Sequence, residues 1–250
     1  METVERGPAY IQNWKRVMAV GCTHGDLAQL DIQQDVLDFR DRFKPEIRFD
    51  LGDTCDTAAF RSGARGTSDE GKEVEPDELA SITWLKRYEP THLSWGNHDW
   101  RLVEMQESGN ALVAYAAKKL WGSLSATVAE LKTETVPYDY EHGWFEMGGV
   151  FWGHGYWYGE QAVRDHAEYL GGPIVMAHKH VAEEEQGRTR KPSKSFCVGL
   201  LGDPQKMTYA RRRRATSRWS HGAIYGEVSD KSAHLWLASC RPGERLRFPL

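Results

Sequence analysis

The sequence predicts an α/β protein in which two βα-rich halves pack mixed β-sheets against each other, flanked by helices. Three observations carry this expectation. From Arg16 to Leu120, apolar runs of strand length alternate with segments whose apolar residues recur at helical spacing, a βαβαβα order. Beyond Trp121 the runs shorten, and turn signals such as Gly148-Gly149 separate them. Finally, five apolar runs stop at clusters drawn from the same few residue types: Cys22-Thr23-His24, Asp53, Gly96-Asn97-His98-Asp99, His154 and His178-Lys179-His180. Loops at the carboxyl ends of strands are where open α/β sheets bind and react.

Composition narrows the classes. A chain of 250 residues is long enough for one large domain, expected to span 1–250, that buries roughly 70 to 75% of its extended-chain surface. Apolar content of 40%, charged content of 27% and ten Trp describe a globular protein rather than a disordered one. A net charge of −4 argues against a general nucleic-acid coat protein, so a polyanionic partner would need a local basic patch. Met1 to Arg6 has no basic start followed by an apolar core, and no apolar stretch reaches the span of a bilayer. A cytoplasmic protein with no membrane association is therefore expected. The four cysteines, Cys22, Cys55, Cys197 and Cys240, are too scattered for a disulfide framework.

In order, Arg16 to Gly21 reads as a strand ending in Cys22-Thr23-His24-Gly25-Asp26. Leu27, Leu30, Val36, Leu37 and Phe39 then give an amphipathic helix that Asp26 is placed to cap. Pro45 ends it, and Glu46 to Leu51 alternates as a second strand that delivers Gly52-Asp53-Thr54-Cys55-Asp56. Residues 57–76, rich in Gly, Ser, Arg and Glu, read as a long polar loop beside the strand ends. Pro76 opens a helix expected to reach Tyr88, and a third strand carries Leu93-Ser94-Trp95 into a loop formed by Gly96 to Asp99. Leu102 to Leu120 is helical, interrupted at Gly109-Asn110. Strands follow at Thr135 to Tyr138, Trp144 to Met147 and Val150 to Trp152, the last delivering Gly153-His154-Gly155. Glu160 to Leu170 is helical, and the apolar Pro173 to Ala177 ends at His178. Ser195 to Val198, Ala223 to Val228 and Ala233 to Leu237 complete the strands.

His, Asp, Asn and Cys are ligands of first-row transition metals, and the fold could bring these strand ends to one rim. One such His would more simply be a hydrogen-bonded core or surface residue. Five clusters in one chain favour a metal site. Their pattern resembles the calcineurin-like metallophosphoesterases, whose motifs DxH, GDxxD, GNH(D/E), a lone His and GHxH stand here as Cys22-Thr23-His24, Gly52 to Asp56, Gly96 to Asp99, Gly153-His154 and Ala177 to His180. The resemblance covers most of the chain in the family's order. It implies a four-layer αββα sandwich with two divalent transition-metal ions, Zn, Fe or Mn, at its rim. It assigns Cys22, His24, Asp53 and His180 to one ion, and Asp53, Asn97, His154 and His178 to the other, with Asp53 bridging. His98 is left as general acid, and Asp99 as the carboxylate that holds its imidazole. Two ions roughly 3.5 to 4 Å apart would activate a water and align a phosphate for in-line attack.

Two departures matter. Ala177 replaces a Gly, and Cys22 replaces the usual Asp, a soft thiolate for a hard oxygen. Gly21-Cys22-Thr23-His24-Gly25 is similar to the RNA lariat-debranching enzymes of the same superfamily, where Cys is usual at that place. Those enzymes are longer, and their third motif ends in Glu where Asp99 stands. Cys22 as ligand and Cys22 as small buried filler both stay open.

Arg211, Arg212, Arg213 and Arg214, followed by Arg218, Trp219 and His221, read either as a grip on phosphates or as a solvated loop. Arg188, Arg190, Lys191 and Lys194 add positive charge nearby, and Trp152, Tyr156, Trp157 and Tyr158 either line a groove around His154 or pack. The expected function is metal-dependent hydrolysis of a phosphate ester, preferably a phosphodiester of nucleic acid or nucleotide. The alternatives are a phosphomonoesterase, acting on proteins or small molecules, and a catalytically silent binding scaffold. The sequence does not fix the oligomeric state.

Overall fold

The computed structural model describes residues 13–187, 193–207 and 214–249; for Arg214 and Ala215 it describes the backbone alone. Arg188, Arg190, Lys191 and Arg211 to Arg213 lie outside the described residues, as does the side chain of Arg214. In chain order the elements are β1 (Lys15–Val20), α1 (Leu30–Phe43), β2 (Ile47–Asp50), α2 (Glu75–Tyr88), β3 (His92–Ser94), α3 (Asn97–Met105), α4 (Ala111–Glu130) and β4 (Glu134–Val136). They continue as β5 (Trp144–Met147), β6 (Val150–Gly153), α5 (Ala162–Leu170), β7 (Ile174–Met176), β8 (Ala182–Gln186), β9 (Lys194–Val198), β10 (His221–Val228) and β11 (Ala233–Cys240).

Strand β1 shows why its run in the sequence is unbroken. Val17 and Ala19 face the second sheet, while Met18 and Val20 face helices, so both faces are buried. Parallel strands β1, β2, β3 and β4 form one sheet, which β10 and β11 extend antiparallel in the order β11-β10-β1-β2-β3-β4. The second sheet, β5-β6-β7-β9-β8, is parallel at its centre and antiparallel at both edges. Both sheets are therefore mixed. Between them lies one apolar layer in which Phe49 of β2 stacks on Trp152 of β6, ring centroids 4.6 Å apart, with Val175 and Phe196 beside them.

Helices cover the outer faces. Ile32, Val36 and Phe39 of α1 and Trp84 and Tyr88 of α2 pack on the first sheet, and Val163 of α5 packs on Ile174, Met176 and Cys197 of the second. The α/β architecture of two packed mixed sheets flanked by helices is the one expected. No helix among the described residues is long and apolar enough to cross a membrane.

The differences are local. Asp26 does not cap α1: it lies in a 3-10 turn, Gly25–Leu27, and the helix begins after Gln29 without a side-chain cap. Strand β8, of sequence Ala-Glu-Glu-Glu-Gln, carries no apolar alternation and escapes a pattern-based reading; among the described residues it is an edge strand, paired with β9. Asn97, His98 and Asp99 are the first turn of α3 rather than a loop, because the Asp99 carboxylate accepts the Gly96 N–H at 2.9 Å and closes the helix start. Asn110 does cap α4, its Oδ1 accepting from Leu112 N–H at 3.0 Å.

Candidate metal centre

Parallel strands β1, β2 and β3 lie side by side in one sheet, and β6 and β7 in the other, so their carboxyl ends converge on one rim. The chain turns there at some cost. Cys22, His24, Asp53, His178 and His180 all take positive φ, between 52° and 63°. Such conformations are sparsely populated by non-glycine residues and cost roughly 1 to 3 kcal/mol each, a pattern found at functional sites. Backbone bonds hold them, among them Cys22 N–H to Gly52 O at 2.8 Å and His24 N–H to Asp53 O at 2.9 Å. Two glycines let the β2 and β3 turns touch: a Cβ at Gly52 would lie 2.4 Å from Gly96 N, and one at Gly96 would lie 2.2 Å from Asp53 Oδ1.

The first group is Cys22, His24, Asp53 and His180, whose ligand atoms all lie within 4.8 Å of one another. All four residues are buried. His24 Nδ1 lies 3.1 Å from Asp56 Oδ1, which turns Nε2 toward His180 Nε2, 3.0 Å away, and Asp53 Oδ2, 3.8 Å away. Burial and the neighbouring His24 push His180 well below its ordinary pKa, so its imidazole is neutral. Cys22 belongs to the apolar layer as well as to this group, and its Sγ accepts the His178 N–H at 3.3 Å. Burial and then Asp53 raise its thiol well above the usual range, so in the metal-free chain it is protonated. A cation would have to displace that proton for Sγ to ligate.

The second group, Asp53, His154 and His178, shares Asp53 with the first. His154 donates Nδ1–H to Leu51 O at 2.6 Å, so its Nε2 faces His178 Nδ1 at 3.1 Å, Asn97 Oδ1 at 3.2 Å and Asp53 Oδ2 at 3.4 Å. The backbone of His154 is tied across the sheets, its N–H donating to Ser94 Oγ of β3 at 2.9 Å. Burial, then the neighbouring His154, brings His178 down to about pKa 3. Asp53 goes the other way: burial opposes its charge, but His154, His98 and His24 together hold its carboxyl well below the carboxylate range.

Nitrogen and oxygen atoms thus converge at both groups on the two sides of one ionised carboxylate; burial opposes charge on His154, but Asp53 raises its pKa, so a cation there would have to displace the proton from its Nε2. That donor chemistry fits a divalent cation at each: sulfur, nitrogen and oxygen at the first, nitrogen and oxygen at the second. Every metal-ligand candidate read from the sequence reaches this rim.

His98 stands beside both groups. Its backbone N–H donates to Asp53 Oδ1 at 2.8 Å, and its Nδ1–H donates to Asp56 O at 2.7 Å with Asp56 Oδ1 at 3.3 Å. Burial works against charge on this ring, but Asp53 and the bond to Asp56 raise its pKa above the ordinary value. The expectation that Asp99 holds this imidazole is corrected. Asp99 is the third residue of α3, and its oxygens accept from Gly96 N–H, Cys55 N–H and Cys55 Sγ–H, at 2.9 to 3.1 Å. Its role is to join the β2 and β3 turns. Asp56 orients both His24 and His98, a part no sequence signal gave it beyond its place in Gly52 to Asp56.

Two further residues escaped the sequence reading. Asp77, in the first turn of α2, accepts from Asp56 N–H at 3.0 Å and Thr57 N–H at 2.7 Å and so braces the β2 turn. Arg101, one turn after His98, donates to Asp56 O at 3.1 Å and to Thr57 O at 3.2 Å.

No protein-family model and no curated protein matches the sequence. Among solved structures the chain is similar to a conserved uncharacterized protein and predicted phosphoesterase from Streptococcus pneumoniae TIGR4, with 13% identity, 95% of each chain covered and a TM-score of 0.41. It is similar also to Yfce, a phosphoesterase from E. coli, with 14% identity, 88% of this chain and 98% of that one covered and a TM-score of 0.40. A phosphatase from Mycoplasma pneumoniae is a third, with 10% identity, 93% and 96% coverage and a TM-score of 0.41. Similarity at this level leaves the chemistry to the geometry of the rim.

Proposed function

We propose that this chain hydrolyses phosphate esters with the help of two divalent transition-metal ions, Zn, Fe or Mn, and with His98 as the proton donor. The observation that carries this reading is the place of Asp53 in both ligand groups, with Oδ2 turned toward His24 and His154 at 3.8 and 3.4 Å. Cys22, His24, Asp53 and His180 would hold one ion, and Asp53, Asn97, His154 and His178 the other. Ions bound there supply Lewis-acid neutralisation of phosphoryl oxygens and a more acidic water.

The rest is the work of side chains. Asp56 fixes the His98 tautomer by taking its Nδ1–H, so Nε2 is the atom that delivers a proton to the leaving oxygen. Raising the His98 pKa keeps that proton available near neutral pH. The start of α3 adds the positive end of a helix dipole beside the phosphate position.

A diester of nucleic acid or a nucleotide is the preferred substrate on the strength of the Arg211 to Arg214 run, which lies largely outside the described residues. The test is a screen of purified protein with Mn, Fe, Zn and Mg on bis-p-nitrophenyl phosphate and p-nitrophenyl phosphate, with metal content by mass spectrometry. Turnover of the diester above the monoester supports the full reading, and the reverse assigns a monoesterase. Two bound ions with no turnover of either would make the chain a silent scaffold.

A further inference from the structure

Exposed aromatic side chains are gathered on one side of the candidate centre. Of the ten large hydrophobic residues exposed among the described residues, five belong to one cluster: Tyr140, Tyr156, Trp157, Tyr158 and Tyr169. Scattered apolar residues on a surface need no explanation, but a contiguous group does.

This group starts at the ligands themselves. The Tyr158 ring lies 6.0 Å from that of His178, and Tyr138, 5.8 Å from His154, stacks on Tyr156 at 5.2 Å with planes 21° apart. The segment that carries the rings is pinned. His166, a buried residue of α5, gives Nδ1–H to Ala162 O at 2.7 Å, and its Nε2 accepts both Tyr156 N–H at 2.8 Å and Trp157 N–H at 3.2 Å. Trp157 then packs edgewise on Tyr169 and over His166, centroids 5.6 and 4.5 Å away. Tyr156 and Trp157 are thus held in place, and Tyr158 beside them stands in water at 79% exposure.

We infer that this aromatic shelf takes a nucleobase of a short nucleotide ester whose phosphate sits at the ligand groups. The inference rests on the proposed phosphoesterase reading. Stacking on aromatic rings is how proteins hold unpaired bases irrespective of sequence. Beside the shelf, Glu141, which accepts the Tyr169 hydroxyl at 3.4 Å, and Asp139 add negative charge, which disfavours a longer polyanion on the Tyr169 side. The shelf therefore serves one base next to the reacting phosphate, and not an extended strand.

The test measures equilibrium binding of AMP, of ribose 5-phosphate as the base-free counterpart, and of an octanucleotide, to metal-loaded and to EDTA-treated protein. AMP should bind about 5- to 100-fold more tightly than ribose 5-phosphate, the worth of one stacked base. Tyr158→Ala should remove most of that difference, Tyr158→Phe should keep it, and the octanucleotide should gain no more than AMP does. At a side chain this exposed, the substitutions do not test folding.

Equal binding of AMP and ribose 5-phosphate, or equal loss in the Phe and Ala variants, overturns the inference. So does dimerisation that Tyr158→Ala abolishes without any base preference, which would give the shelf to a second copy of the chain. If esters are hydrolysed without base preference, the inference alone fails. If the base preference stands but no metal supports hydrolysis of any ester, the proposed function fails and the shelf remains.

Discussion

The two ligand groups share Asp53 but differ in exposure and in donors. Cys22, His24, Asp53 and His180 of the first group are all buried, and Cys22 also belongs to the apolar layer between the sheets. The second group is open: Asn97 and His178 are only half-buried, and Tyr138 and Tyr158 border it. Closed, four-ligand sites with sulfur hold an ion tightly, and sites with an open position exchange ligands and do chemistry. On the proposed reading the first group anchors an ion and the second presents one to substrate.

The comparison breaks most completely at the shared carboxylate. Asp53→Asn should cost both groups their metal and reduce activity well beyond the roughly 10- to 100-fold that loss of an outer partner costs. Metal content by mass spectrometry decides it, and one ion kept at full occupancy would show that the groups are independent.

Next in size is His98→Ala, expected to keep both ions and lose about 10² to 10⁴ in rate on substrates with a poor leaving group, and less on p-nitrophenyl esters. Metal loss in parallel with activity would make His98 a ligand. Asp56→Asn should follow at about 10- to 100-fold, lowering metal content through His24 and rate through His98 together. Asp99→Asn should act on thermal stability instead, since its partners are Gly96 and Cys55. An effect of Asp99→Asn on the pH profile equal to that of Asp56→Asn would return Asp99 to the role first expected of it.

Those two acids show what the sequence could and could not disclose. Strand ends and their order were legible because the central parallel strands β1 and β7 are buried on both faces, which leaves apolar runs that stop where the polar clusters begin. Which carboxylate meets which imidazole was not legible. Asp99 follows His98 directly, but helical geometry turns it back toward the Gly96 N–H, and Asp56 arrives from another strand end. Asp77 and Ser94 carry even less signal, since an acid early in a helix and a Ser in a strand are ordinary there. Strand β8 was invisible because an edge strand can be polar.

A smaller effect tests the anchoring role of the first group. Cys22→Ser should empty the first position and spare the second, Asn97→Ala should do the reverse, and Cys22→Asp should shift preference from Zn or Fe toward Mn or Mg. Identical metal content and preference in wild type and both Cys22 variants would leave Cys22 as packing alone.

The smallest expected effect concerns the brace beneath the β2 turn. Burial pushes the Asp77 carboxyl up to about 7, against the pull of the Asp56 and Thr57 N–H donors. In the unfolded chain it titrates near ~3.9. Between these two pH values the unfolded carboxyl has lost its proton and the folded one keeps it, so the folded state binds more protons and stability falls as pH rises. The contribution of Asp77 is flat below that window and flat again, fully lost, above it. Its slope inside the window is at most about 1.4 kcal/mol per pH unit. Asp77→Asn removes this titration. The stability of EDTA-treated wild type minus that of Asp77→Asn, from denaturant midpoints, should therefore fall between pH 5 and 7. Asp50, a second buried carboxyl pushed up to about 7, and the buried His178 and His180, shifted in the opposite sense, titrate alike in both proteins and cancel in that difference. Parallel curves would mean that Asp77 is ionised in the folded chain, its charge held by the two N–H donors, and that the β2 turn is braced by a carboxylate rather than by a neutral acid.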